Sequence, residues 1–115
     1  MKKIFILLGF LLATPIIAHS QVHAQRPNQQ RHYLPGLYPE ASQRILKASD
    51  LKGLNSFDLK VMRNEIYARH GYIFKTQEMK DYFGEQDWYY GRYNNVDKYL
   101  SKIEKTNIEF IKKLE

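Results

Sequence analysis

Residues 57–70, "FDLKVMRNEIYARH", carry the pattern that most restricts the fold. Wound at about 100° per residue, Leu59, Met62 and Ile66 form one apolar stripe, and Phe57, Val61 and Ala68 form the opposite one. A helix that is apolar on two sides needs cover on both, so this one is expected at the centre of its domain. Asn55 or Ser56 can cap its start, with Asp58 in the first turn, where a negative charge is favoured. Gly71 is placed to end it in the left-handed conformation after His70. The polar residues of the helix must then lie on narrow flanks or enter the interior. Arg63, Tyr67 and His70 fall beside the first stripe, while Asn64 lies between the two faces. Glu65 and Arg69 make an i, i+4 pair with the acid N-terminal, the favoured order.

Other helical signals surround this one. Ser49 can cap a short turn, "DLKGL", interrupted by Gly53, and Thr76 can cap "QEMKDYF", which Gly84 ends. "YIF" at 72–74 is expected to be extended or one brief strand. "QDWYYGRYNN" at 86–95 reads as an aromatic loop, with Gly91 and Asn94-Asn95 as turn residues. Ser101-Lys102-Ile103-Glu104 is a capping box opening a helix whose Ile103, Asn107, Phe110, Ile111 and Leu114 share a face. The expected fold is mainly α: a small single-domain helical bundle with a central two-faced helix and an aromatic loop.

The start of the chain carries a different message. Met1-Lys2-Lys3 is followed by the uncharged run "IFILLGFLLATPII", too short to span a bilayer, which needs about 20 apolar residues. Val22-His23-Ala24 then offers small residues at signal-peptidase spacing, so residues 1–24 read as a secretory signal peptide cleaved before Gln25. Ala18-His19-Ser20 offers a second cleavage position. Residues 25–36 are expected to be a flexible leader, since "QRPNQQRH" has no apolar periodicity. The arm "YLPGLYPE" at 33–40 overlaps its end and is able to lie across the domain, which occupies residues 37–115. With Lys2 and Lys3 removed, 16 basic residues face 12 acidic ones, and the net charge falls from +6 to +4. The basic residues are scattered, with only Lys112-Lys113 adjacent in that part, which argues against a nucleic-acid surface. The chain has no cysteine, hence no lipidation site and no disulfides, so no stable membrane anchor is expected after cleavage. Nine Tyr, four Phe and one Trp lie in the 83 residues from Tyr33 onward, and they are the expected substitute for cross-links.

Catalytic constellations are weak. The serines at 42, 49, 56 and 101 are mostly helix caps, Ser42 has no evident partner, and no spacing singles out Glu65 with Asp81 or Glu85 as a carboxylate pair. His32 and His70 are too few for a structural zinc site, so neither metal nor cofactor is expected. Two readings of the polar residues remain open. Arg63, Tyr67, Arg69 and His70 could bind carboxylates, and Trp88, Tyr89, Tyr90, Arg92 and Tyr93, crowded in one loop, could stack on sugars or peptides. In the other reading, Arg63, Asn64, Glu65, Arg69 and His70 form an internal lock joining the helix to the aromatic loop, with Trp88 and Tyr89 in the core.

"RNEIYARHGYIF" at 63–74 resembles the signature of the YARHG domain, a module of exported bacterial proteins. "DLKGLNSFDLKVM" upstream is similar to the family's lead-in. Downstream, Phe83, "WYY" at 88–90 and Leu100-Ser101 with Glu104, Asn107, Ile108 and Ile111 match as well. The resemblance implies a secreted or periplasmic domain that associates with cell-wall or envelope material such as peptidoglycan. It leaves two alternatives: a regulatory or scaffolding domain for another exported protein such as a peptidase, and, third, a wall-active hydrolase.

Overall fold

A central helix with different neighbours on its two sides organises the computed structural model, which describes residues 33–115. Residues 1–24, expected to be a signal peptide, and most of the expected leader lie outside the described residues. A 3-10 turn at Pro39–Ser42 leads to the short helix α1 (Ala48–Leu51), and the central helix α2 spans Ser56–Arg69. Helix α3 (Gln77–Gly84), a 3-10 turn at Asp97–Tyr99 and helix α4 (Lys102–Lys112) complete a mainly α domain. No strand longer than a single bridge, the parallel pairing of Tyr72 with Tyr93, occurs among the described residues.

The ends of α2 follow from its sequence. The Asn55 side chain accepts from the Asp58 N–H at 2.8 Å, and Asp58 accepts from the Asn55 N–H at 3.1 Å, a reciprocal cap. His70 closes the last turn, and Gly71 follows at φ 85°, a conformation that side chains with a Cβ rarely adopt. Thr76 caps α3, and Ser101 with Glu104 caps α4 as a capping box. The first short helix differs from expectation. Ser49 lies inside α1, whose start is held instead by Asp50 accepting from the Lys47 N–H at 2.7 Å.

Both faces of α2 are covered. Leu59, Met62 and Ile66 pack with Ala41, Leu46, Leu51, Ile108 and Ile111 into one cluster. Ala68 belongs to a second cluster with Phe74, Met79 and Phe83, which Trp88 and Tyr89 partly cover. Two sequence assignments move. Phe57 is 43% exposed and meets the edge of Tyr82 at a ring distance of 5.9 Å, so it fringes the second cluster rather than filling it. On α4 the buried residues are Glu104, Asn107, Ile108 and Ile111, whereas Leu114 is 52% exposed. The inward stripe is rotated toward Glu104 and Ile108, which brings the Glu104 carboxylate inside to Ser42 and His70. Pro35 and Gly36, assigned to the leader from the sequence, pack against α2 and belong to the folded domain.

Candidate functional site

Glu65 and Arg69 point inward from one flank of α2, with side chains only 1% and 5% exposed. Charged groups this enclosed persist only when hydrogen-bonded throughout. The arm supplies the bonds. The Glu65 carboxylate accepts from the N–H of Leu37 at 2.7 Å and of Tyr38 at 2.9 Å. The Arg69 guanidinium donates to the carbonyls of Pro35 at 2.9 Å and Tyr38 at 3.2 Å, to Ser42 Oγ at 3.0 and 3.1 Å, and to Glu65 at 3.4 Å. Gly36 makes the approach feasible. Its φ is 110°, and a Cβ there would stand 2.6 Å from Glu65 Oε1. Burial pushes the Arg69 guanidinium down from its ordinary pKa, and the Glu65 charge opposes that.

Ser42 joins this pair to a second carboxylate. Its hydroxyl donates to Glu104 at 2.8 Å, while His70 Nε2 lies 2.8 and 3.0 Å from the two Glu104 oxygens. An ionised carboxylate only accepts, so the imidazole Nε2 carries the hydrogen in this contact. The Ser101 N–H donates to the same carboxylate at 2.9 Å. Burial would raise the Glu104 pKa, but the bonds from Ser101, His70 and Ser42 outweigh it and hold the carboxyl below its ordinary value. Deeper still, Asn107 accepts from the Leu46 N–H at 2.9 Å and donates to the carbonyls of Ala41 and Arg44 at 2.8 Å. Every buried side-chain nitrogen and oxygen among the described residues has a partner.

The interior network therefore ties α2 to the arm and to α4, and not to the aromatic loop as the lock reading supposed. Hydrogen bonds from polar signature side chains to the aromatic loop are absent among the described residues. That loop closes on itself and on the backbone after α2: Arg92 and Tyr93 N–H groups donate to the Gly71 carbonyl at 2.7 and 3.0 Å, and the Tyr89 hydroxyl donates to the Tyr72 carbonyl at 2.6 Å. Trp88 meets Phe83 edge-on at 6.0 Å and is half-buried, as is Tyr89. Tyr90 is 73% exposed. Ser42, Glu104 and Asn107 were not singled out as members of the network, although Glu104 and Asn107 were already visible as a cap and a face residue. A polar residue inside an otherwise apolar helical stripe was the available signal for Asn107.

Arg63, Asn64 and Tyr67 occupy the other flank of α2. They line a cleft of about 380 Å³ together with Tyr72, Lys75 and the turn residues Asn94 and Asn95. Asn64 donates its amide to the Lys60 carbonyl at 2.9 Å, and Arg63 is paired with Glu115. Nine of the residues proposed from sequence thus divide between an enclosed network (Glu65, Arg69, His70), an open cleft (Arg63, Asn64, Tyr67) and the aromatic segment (Trp88, Tyr89, Tyr90).

An α-helical domain with an arm clamped by a buried acid–base pair on its central helix defines the class. The chain belongs to the YARHG domain family, whose model matches residues 36–115. Comparison with curated proteins and with solved structures finds no significant match.

Proposed function

We propose that the protein is an exported, non-catalytic binding module that associates with cell-wall or envelope material. The observation that carries this reading is a set of tyrosines the fold leaves in solvent. Tyr90, Tyr93 and Tyr99 are 73%, 38% and 42% exposed, and the Tyr93 and Tyr99 rings lie 5.1 Å apart. Arg92 stands 6.0 Å from the Tyr90 ring centre, and Lys98 stands 5.1 Å from that of Tyr99. Flat rings with polar edges suit stacking on sugar rings, and cations beside them attract the carboxylates and phosphates of envelope polymers. Export is supported by the basic start, apolar run and small-residue cleavage site of residues 1–24. Among the described residues no helix is long and apolar enough to cross a membrane.

A non-catalytic role is supported by how the reactive groups are engaged. The Ser42 hydroxyl donates to Glu104 and accepts from Arg69, and His70 bonds to the same carboxylate rather than to Ser42, so these groups satisfy one another in the interior network. The test is retention of the mature protein on purified peptidoglycan across a salt titration. Retention at low salt that weakens as salt rises is expected; no retention at low salt sinks the wall-binding version. Cross-linking in the native envelope that captures one dominant protein would instead favour the regulatory or scaffolding role.

A further inference from the structure

Arg63 lies on the flank of α2 away from the Glu65–Arg69 pair, and its partner is Glu115, 52 residues further on. Glu115 meets it in a fork, with Arg63 Nη2 2.7 Å from one carboxylate oxygen and Nε on the other. A planar guanidinium engaged edge-on by both oxygens is the geometry that recognises carboxylates specifically. Both side chains are largely shielded, at 23% and 16% exposed. The remaining nitrogen, Nη1, has no hydrogen bond among the described residues.

Glu115 reaches Arg63 from the turn that follows α4. Beyond α4 its segment makes two backbone bonds to the Ile111 carbonyl, and the intervening Leu114 is 52% exposed. An ion pair at a partly exposed site contributes little by itself, about 0–1 kcal/mol. Glu115 thus occupies the carboxylate position of a guanidinium that also lines the cleft, and a pair of such modest strength is open to exchange for another carboxylate. The cleft suits a peptide. Lys75 makes no ion pair among the described residues and adds a second cation, against one acid, Asp97. The Asn64 amide is oriented by the Lys60 carbonyl, which leaves its oxygen to accept an N–H, and Asn94 adds a second side-chain amide at the rim.

We infer that Arg63 and the adjoining cleft form a binding site for a peptide ending in a free carboxylate, and that Glu115 occupies the carboxylate seat until such a ligand displaces it. Arg63 reads the carboxylate, Asn64 accepts the neighbouring peptide N–H, and Lys75 adds long-range attraction. The site shares no residue with the tyrosine face, so loss of carboxylate binding in an Arg63 variant and loss of wall retention in a tyrosine variant are distinguishable.

The experiment is an NMR titration of the mature protein, followed at the Arg63 Nε–H signal, with acetyl-Ala-Ala in its L,L and D,D forms and with the same peptides amidated at the C-terminus. A competing pair worth about 0–1 kcal/mol is removed by Glu115→Gln, which should tighten acid-peptide binding by about two- to sixfold. The amidated peptides should bind at least about tenfold more weakly than the acids, the difference expected for losing a charge-assisted fork. Preference for the D,D form marks a wall peptide as the source, and preference for the L,L form marks a protein tail; either supports the site. Equal binding of acid and amide, or unchanged affinity in Glu115→Gln, overturns it. Arg63→Gln should abolish binding, and the Glu115→Gln result decides the matter even if the arginine variant folds poorly.

Discussion

On the arm side of α2, two charged side chains almost sealed from water bond to backbone groups of residues 35–38; on the other side, Phe74 and Phe83 stack at 4.6 Å with no polar group between them. The two sides perform the same task, holding a non-helical segment against a helix, by different means. Aromatic packing is large in area and tolerant of small shifts, so it can hold a loop whose path is already set by its own backbone bonds. The arm has few backbone bonds of its own to the domain. Its position is instead specified by directional bonds to Glu65 and Arg69, each of which fits one register only. A buried ion pair adds little net stability compared with an apolar pair of the same shape, but it is costly to break. The comparison teaches that one face of the domain is built for bulk and the other for register.

The strongest way to break that contrast is to remove one charge. Arg69→Ala strands the Glu65 carboxylate in the interior and deprives Ser42 and two carbonyls of their donor. A loss of about 3–5 kcal/mol is expected in urea unfolding. Glu65→Leu combined with Arg69→Met sharpens the point, because no charge is then stranded. The double variant should recover at least half of that loss, while the arm, its anchor gone, becomes susceptible to proteolysis near Gly36. If the double variant loses as much as both single ones together, the pair contributes net stability and the contrast fails.

On the aromatic side, Trp88→Ala should cost less. Truncating a fully buried Trp costs about 3–5 kcal/mol, but Trp88 is half-buried against Phe83, so about 2 kcal/mol is expected. Thermal melts of Trp88→Ala and Arg69→Ala side by side would order the two faces directly. A larger loss for Trp88→Ala would reverse the assignment of which side is fragile.

Much of this arrangement was legible before any coordinates. The caps at Asn55, Thr76 and Ser101, the left-handed Gly71 and the two-sided helix all rest on local rules, and local rules act through residues near in sequence. The partners of Glu65 and Arg69 were not legible. Pro35 and Leu37 lie 34 and 28 residues away from them, and they contribute backbone groups, which carry no side-chain signature. The same reason hid Ser42, whose hydroxyl gains its meaning only where Arg69 and Glu104 converge. The rotation of α4 escaped because Glu104 was already accounted for as a cap; that it also serves as an acceptor for His70 and Ser42 needs the third dimension. Tyr93 was legible as one of the crowded loop aromatics, but Tyr99 was not, since exposure of an aromatic cannot be read from its neighbours in the chain.

The network also differs from the aromatic cluster in its response to acid. Glu104 is held below its ordinary pKa, so the fold favours its ionised form. The stabilisation it provides is complete above the unfolded carboxyl value, about 4.3, and is lost as the pH falls through the lower folded value. Wild-type melting temperatures should therefore fall below about pH 4. Glu104→Gln should lower stability by about 1–2 kcal/mol at pH 7 and narrow the gap to wild type as the pH falls. Asp50, also held down, by Arg44, titrates alike in both proteins and cancels from the difference. A gap that stays constant down to pH 2 would remove Glu104 from the pH-sensitive side of the comparison.

The smallest expected change in stability belongs to the residue with the most to say about binding. Tyr90 is 73% exposed, and its recorded ring contact is with the Arg92 cation at 6.0 Å. Replacing it with Ala removes neither core area nor a buried partner, so unfolding should shift by no more than about 0.5 kcal/mol. Its effect should fall on retention by peptidoglycan instead, where loss of one stacking ring is expected to weaken binding by about 1 kcal/mol, roughly fivefold. The opposite pattern is equally readable. If Tyr90→Ala destabilises the fold by as much as Trp88→Ala while leaving retention untouched, the loop tyrosines belong with the aromatic cluster. The domain would then engage its ligand through the charged flank of α2.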